Sequence, residues 1–316
     1  MIYVSQDGTK NFTTVQAALD FVARHEEEHE IYIYNGIYKE QLTITTPGIT
    51  LTGEDAEHTI LTYDLAAKEI LEDGMKRGTF RTYSCLVDTH DFTARNLTFE
   101  NSAGPGSVAG QALALYVDGD QISFEDCRFL GNQDTLFTGP LPPKEIEKNG
   151  FIGPKQYAPR INGRHYYKNC YIEGDIDFIF GSATAYFEDC EFFCKDTGRE
   201  INSYVTAAST PEGQHYGYVM NRCRFTSNCP PASCYLGRPW RSFAQVVLLN
   251  CEIGPHIHPE GWHDWNKPDA HATAYFAEYA CTGPGACTDQ RPDWVHILTA
   301  AEAANFTKER VLSTQP

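Results

Sequence analysis

The sequence predicts an all-β solenoid, a parallel β-helix whose successive turns stack short strands on one another. Three observations predict it. A four-residue unit recurs as Asn96-Leu-Thr-Phe99, Asp126-Cys-Arg-Phe129, Asn169-Cys-Tyr-Ile172, Asp189-Cys-Glu-Phe192, Arg222-Cys-Arg-Phe225 and Asn250-Cys-Glu-Ile253. Its central residues follow one another at intervals of 30, 43, 20, 33 and 28 residues, the period range of a solenoid with loops of uneven length on one side. Each unit also alternates polar and apolar residues, the pattern of a half-buried strand. Leucine-rich repeats carry a comparable Asn/Cys ladder, but they need leucine at several fixed positions that these units lack. Short strands, Gly-rich turns and aligned inward side chains suit a parallel β-helix better.

The elements follow in order. Met1-Ile-Tyr-Val4 enters a strand at once. Thr13 and Gln16 have capping-box spacing, and Val15, Ala18, Leu19 and Val22 then share one helical face. A solenoid exposes an apolar end, so this helix is expected to cap it. His25-Glu-Glu-Glu-His29 matches H-E-x-x-H formally. It falls in a charged run at the helix end, so no metal site is expected there. Five cysteines (Cys127, Cys170, Cys190, Cys223 and Cys251) share the repeat phase and are expected as buried, reduced thiols. Cys281 and Cys287 are free to pair in an oxidising compartment, but nothing requires it. Thr299-Ala-Ala-Glu-Ala-Ala-Asn305 reads as a short C-terminal helix. No linker or low-complexity stretch interrupts residues 1–316, which are expected to form a single domain.

Bulk properties narrow the partners. A net charge of −17 with no basic run argues against nucleic acid and anionic membranes. No apolar run approaches the roughly 20 residues of a spanning helix. The chain shows no basic start followed by an apolar core, so a cytoplasmic location is expected, or secretion if a signal has been removed.

One juxtaposition carries chemistry. Cys127-Arg-Phe-Leu-Gly-Asn-Gln-Asp134 repeats as Cys170-Tyr-Ile-Glu-Gly-Asp-Ile-Asp177. If these stretches stack as successive turns, Asp134 and Asp177 face each other across one strand spacing, roughly 4.8 Å. Two carboxylates so close cannot both ionise freely; one becomes an acid and the other stays a base or nucleophile. A turn carboxylate bonded to backbone explains Asp175 well but Asp177 poorly, because Phe178, Ile179 and Phe180 follow at once. Leu236-Gly-Arg238-Pro-Trp240 offers Asp177 a cationic partner and a flat ring for a sugar, although spacing alone leaves a surface arginine and a core tryptophan open.

With these residues in view, the chain resembles the pectin methylesterases of carbohydrate esterase family 8. The matching segments are Gly36-Ile-Tyr-Lys-Glu40, Gly110-Gln-Ala-Leu-Ala-Leu115, Gln133-Asp-Thr-Leu136, Asp177-Phe-Ile-Phe-Gly181 and Leu236-Gly-Arg-Pro-Trp240, in the family's order. Asp7-Gly-Thr-Lys-Asn-Phe-Thr-Thr-Val-Gln16, Pro259-Glu-Gly-Trp262 and Glu278-Tyr-Ala-Cys-Thr-Gly-Pro-Gly-Ala286 add to it. The resemblance implies a right-handed coil and hydrolysis of methyl esters on galacturonate units. It implies Asp177 as nucleophile, Asp134 as general acid and then base, and Gln111 and Gln133 as oxyanion donors. Arg238 would orient Asp177, and Trp240 would bind substrate with help from Arg238 and Gln111. It implies no cofactor. Methyl-esterified pectin or oligogalacturonide is the expected partner, and the chain is expected to be a monomer.

Two features depart from the family's pattern. The aspartates are 43 residues apart, and the extra segment, about Gly139 to His165, is rich in proline. Leaving the coil between the two aspartate turns, it is expected to wall one end of the cleft and favour short chains. Tyr204-Val-Thr-Ala-Ala-Ser209 matches only in part. The acidic surface would repel demethylated product at long range, so Arg and Lys are expected to line the cleft. Two other readings remain: a β-helix glycosidase built on the same carboxylates, and a non-catalytic polysaccharide-binding β-helix.

Overall fold

Asn96, Asp126, Asn169, Asp189, Arg222 and Asn250, which open the six repeat units, all take positive φ between 50° and 55°. The computed structural model describes residues 1–25 and 27–313. A left-handed residue turns the backbone sharply, and Asn and Asp tolerate that conformation better than other side chains with a Cβ. Strand Phe92–Arg95 therefore ends at Asn96, and strand Thr98–Asn101 begins just beyond it. This corrects the reading of each unit as one half-buried strand: the unit is a corner between two strands. Its apolar positions still face inward, with Cys127, Cys170, Cys190, Cys223 and Cys251 all buried.

Three corners per turn give three sheets, and the chain visits them in rotation. Sheets of 11, 8 and 7 strands result, with parallel pairing such as Phe129 on Ile172 and Leu136 on Ile179. The architecture is a right-handed parallel β-helix. Its interior is filled by like residues from successive turns. Phe124, Tyr167 and Phe187 stack in a column, with centroids 5.3 and 4.5 Å apart. The ladder thiols sit beside backbone carbonyls, as Cys170 Sγ does at Phe124 O. All eleven cysteines are unpaired, Cys281 and Cys287 included.

The N-terminal helix spans Val15–Val22 and buries Val15, Ala18, Leu19 and Val22. It packs on strands Ile2–Val4 and Leu42–Ile44, the first strands of the 11- and 7-stranded sheets. The expected Thr13–Gln16 capping box is not formed. Thr14 is the N-cap and makes no side-chain bond. Glu40 instead accepts from the backbone N–H groups of Val15 and Gln16, at 2.8 and 3.0 Å. A carboxylate at a helix N-terminus meets both the free donors and the positive end of the dipole. Gln16 turns outward to Asp20 and to Thr43 of the adjoining strand. Because the helix ends at Val22, His25 and His29 do not share a helix as H-E-x-x-H requires; Glu26 of that motif lies outside the described residues. His25 stacks on Phe21. Among the described residues no helix is long and apolar enough to cross a membrane.

At the other end, Thr299 and Glu302 form a reciprocal capping box on helix Ala300–Ala303. A second short helix, Lys308–Val311, follows. The late motifs meet in a buried lock. Arg291 and Glu278, each 1% exposed, pair at 2.7 Å, and Trp262 Nε1 donates to the same carboxylate.

The 7-stranded sheet is covered on both faces. Tyr116, Phe137, Phe180 and Ala207 occupy one register position on consecutive turns and point outward. Phe80, Leu141 and Phe151 pack on this stripe. Leu141 and Phe151 belong to the proline-rich segment, which rejoins the coil at strand Arg164–Lys168. That return is slightly earlier than the expected boundary at His165. Lys155 ties the segment down by pairing with Asp88 and Asp118.

Candidate active site

Strand Leu136–Thr138 pairs with strand Ile176–Gly181 so that Leu136 meets Ile179. That offset is the one separating Asp134 from Asp177, so the two aspartates occupy equivalent places on neighbouring turns. Both sit at left-handed corners, with φ of 62° and 54°. Between Ile176 and Ile179 the pairing with strand Ser203–Ala208 slips by one residue, a bulge that carries Asp177 and Phe178. Bulges bend a strand and re-aim its side chains. Phe178 goes inward to full burial, while Asp177 reaches the outer face and stays 7% exposed. Asp175 is the turn carboxylate expected from its context, accepting from the backbone N–H of Ile176 at 2.6 Å.

Arg238 follows strand Cys234–Gly237 of the next but one turn. It holds Asp177 through two parallel hydrogen bonds, Nε to Oδ1 at 2.8 Å and Nη2 to Oδ2 at 2.6 Å. Gly237 makes the approach possible, because a Cβ there would lie 1.9 Å from Thr206 Oγ1. The guanidinium is sandwiched between two rings, 3.9 Å from the centroid of Tyr204 and 3.7 Å from that of Trp265. The alternative of a surface arginine is excluded, since both partner side chains are largely buried.

The environment separates the two carboxylates. Burial raises the Asp134 pKa well above its ordinary value, and the neighbouring Asp177 charge raises it further. Burial also raises Asp177, but the Arg238 charge and hydrogen bonds oppose this directly, and Lys267 adds to the opposition. Asp134 makes no side-chain hydrogen bond among the described residues. These opposing influences favour the proton on Asp134 and the negative charge on Asp177, two groups with opposite capacities in one place.

Both carboxylates open into a cleft of about 450 Å³ that Gln111, Gln133, Arg238 and Trp240 also line. The structure thus brings together all six residues named from the sequence. The two glutamine amides make no side-chain hydrogen bonds among the described residues, which leaves their donors for a ligand. Trp240 is half-buried, edge-on to Phe180 and Phe151 at 5.6 and 6.5 Å. The proline-rich segment contributes Ile146, Glu147, Gly150 and Phe151 to the cleft. Arg241 and Lys267 join Arg238 among the cleft's lining residues, where Arg and Lys were expected from the sequence.

Sequence reasoning missed Tyr204, Trp265, Lys267 and Phe80. No spacing rule points to the first three: Tyr204 comes from strand Ser203–Ala208, and Trp265 and Lys267 from one loop after strand Glu252–Ile253. Phe80 had an indirect signal. Leu113-Ala-Leu-Tyr-Val117 and Phe178-Ile-Phe180 are apolar on both strand faces, and such runs imply a sheet covered on both sides.

A charged carboxylate held in fixed geometry can attack an acyl carbon; a protonated one beside it can supply a leaving group with its proton. Two free amides can stabilise a developing oxyanion. The chain is similar to proteins of one family along most of its length. The pectinesterase family pattern matches residues 1–140 and 157–315, leaving out 141–156. Pectinesterase 31 of Arabidopsis thaliana is 38% identical over 314 residues, covering 97% of this chain and 90% of that protein. A carrot pectin methylesterase structure superposes with a TM-score of 0.83 at 28% identity, covering 99% and 92% of the two chains. A pectin methylesterase crystallised with a hexasaccharide superposes with a TM-score of 0.80 at 29% identity, covering 100% and 97%.

Proposed function

The chain belongs to the pectinesterase family, and from that premise we propose that it removes methyl groups from esterified galacturonate units, with Asp177 as nucleophile and Asp134 as acid and base. The observation that carries the assignment is the asymmetry of the pair. Arg238 grips Asp177 with two hydrogen bonds, whereas Asp134 is buried against that charge and forms no ion pair among the described residues.

The reaction runs in two halves. An Asp177 oxygen attacks the ester carbonyl carbon, and the carbonyl oxygen takes negative charge facing the amides of Gln111 and Gln133. The tetrahedral centre collapses, the bond to the methoxy oxygen breaks, and Asp134 gives its proton to that oxygen, releasing methanol. The galacturonate acyl group is then joined to Asp177 as a mixed anhydride. Asp134, now a carboxylate, takes a proton from water as the water attacks the anhydride. The second tetrahedral centre collapses with cleavage of its bond to the Asp177 oxygen, so Asp177 regains its charge and Asp134 keeps the proton it took; the product leaves as galacturonic acid and gives its remaining proton to solvent. Arg238 stays paired with Asp177 between turnovers, and Trp240 presents an edge or face to a sugar ring.

The proline-rich segment supports a preference for short oligogalacturonides over polymer. It places Ile146, Glu147 and Phe151 at the cleft, in the stretch the family pattern leaves out. A cytoplasmic site of action on such oligomers is part of the same proposal, and cell fractionation tests it.

Methanol release from defined methylated oligogalacturonides, with the Asp134→Asn and Asp177→Asn variants alongside, tests the esterase reading. Methanol without new reducing ends supports it. New reducing ends without methanol would assign the cleft to glycosidic cleavage, and binding without either product would make it a lectin-like site.

A further inference from the structure

Trp265 forms one face of the sandwich around the Arg238 guanidinium, yet its own backbone is strained. A bulky side chain rarely occupies positive φ, and Trp265 and Asn266 take φ of 56° and 53° in succession. Such a conformation persists only where surrounding contacts over-determine it. Two side chains of the same loop supply those contacts. His263 Nδ1 accepts from the Trp265 backbone N–H at 2.9 Å, and Asp264 Oδ1 accepts from that of Asn266 at 2.8 Å. His263 is itself fixed to the strand that leads into Arg238, its backbone N–H donating to Gly237 O at 3.0 Å.

The His263 ring also reaches the other face of the sandwich. It lies edge-on to Tyr204 and Tyr235, with centroids 5.7 and 5.2 Å away, and those two rings stack 5.5 Å apart. One imidazole thus braces both walls that hold Arg238. To accept a hydrogen bond, Nδ1 must be unprotonated. The groups facing the ring are Arg238, His258, Asp264 and Glu260, along with the two tyrosines. Burial lowers its pKa below the ordinary imidazole value; Asp264 and Glu260 oppose this, whereas Arg238 and His258 add to it. At neutral pH the ring is therefore neutral and its bond to Trp265 is made. As pH falls through the lowered value, a proton on Nδ1 removes the acceptor and puts a second positive charge beside Arg238.

We propose that His263 is a positioning residue for the reaction at Asp177: its neutral ring holds Trp265 and Tyr204 against Arg238, and so sets the grip of Arg238 on the nucleophile. The inference rests on the esterase reading of the cleft and deepens it. His263 is not among the residues that line the cleft; it acts through Arg238. Protonation of the ring loosens the sandwich, so acid withdraws activity through His263 as well as through Asp177.

His263→Phe and His263→Asn separate the acceptor from the ring. Phenylalanine keeps a ring against Tyr204 and Tyr235 but has no acceptor. Asparagine carries Oδ1 in the place of Nδ1, accepts readily from the N–H two residues on, and does not titrate. At about pH 7.5, kcat for methanol release falls about tenfold in H263F with a smaller change in KM, and stays within about twofold of wild type in H263N. In 1H–15N spectra the wild-type Trp265 amide shifts together with the His263 ring as the solution is acidified, and that titration is absent from H263N. Carboxyl 13C shifts place the Asp177 titration at higher pH in H263F than in wild type, with H263N close to wild type. Wild-type kcat in H263F overturns the role. So do H263N falling as far as H263F, a Trp265 amide that ignores the His263 titration, and an Asp177 titration unmoved in H263F. The amide and carboxyl readouts need no turnover, so failure of the esterase reading is distinguishable from failure of the positioning role.

Discussion

Arg238 and Asp177 face each other as a fork and a carboxylate, bonded at 2.8 and 2.6 Å, in side chains only 14% and 10% exposed. The pair explains how a coil made for packing can host a charged carboxylate. Burial favours the neutral aspartate; the guanidinium opposes that and fixes the orientation of the carboxylate through both oxygens. Tyr204 and Trp265 in turn hold the guanidinium.

Replacing Arg238 by Lys keeps the charge but loses the second bond and the stacking between rings. We predict a fall in kcat of about 100-fold with a smaller change in KM. Weaker opposition to burial raises the Asp177 pKa, so the acid limb of the kcat profile moves to higher pH. A profile of kcat from pH 4 to 9 checks both effects.

The oxyanion assignment predicts that Gln111→Leu and Gln133→Leu each lower kcat about 10²–10³-fold, equivalent to about 2.7–4 kcal/mol of barrier. Initial-rate kinetics on a methylated trimer measure this. Unchanged kcat with raised KM would make the amides binding groups only.

Phe151 joins the proline-rich segment to Phe80 and Trp240. Phe151→Ala should loosen that wall. Its expected signature is a rise in kcat/KM on polymeric pectin relative to methylated trimer, together with a lower Tm. A clear wild-type preference for polymer contradicts the role given to the segment.

Lys267 faces Asp177, Arg238 and Arg241, and its pKa is lowered to about 8. It is therefore charged below that pH and neutral above. Binding of de-esterified trigalacturonate should weaken as pH rises from 7 to 9. Lys267→Arg should flatten that dependence, since arginine keeps its charge throughout. Calorimetry across the range decides.

Glu278 and Arg291 form a lock away from the chemistry, with Trp262 on the same carboxylate. Glu278→Gln leaves a buried cation without its counter-charge. A loss of about 3–5 kcal/mol in unfolding free energy is expected, with kcat of the folded fraction unchanged. Denaturant unfolding and active-site titration separate the two.

The aspartate pair was legible in the sequence because stacking turns convert a fixed offset into a shared position. Inserting residues 141–156 between the turns left that register intact. Arg238 and Trp240 were legible as a short motif, and the cysteine ladder as one repeated inward position. The corners were not, since Asn96 or Asp126 at positive φ looks like any polar residue in an alternating strand, and Arg222 carries no turn signature at all. The helix cap was misread because Thr13 has the right spacing, while the group that caps is Glu40, distant in sequence and adjacent only after the first turn closes. Tyr204 and Trp265 escaped for the same reason: their shared role exists only around the Arg238 side chain.

The central claim is the division of labour between Asp177 and Asp134, and methanol release by the two asparagine variants tests it most directly. Asparagine tolerates the left-handed corners that both positions require, so each variant keeps its backbone and loses only the ionisable group. The account predicts a fall of at least about 10³-fold for Asp177→Asn and a large loss for Asp134→Asn, with new reducing ends absent throughout. Methanol release by Asp177→Asn at the wild-type rate would contradict it.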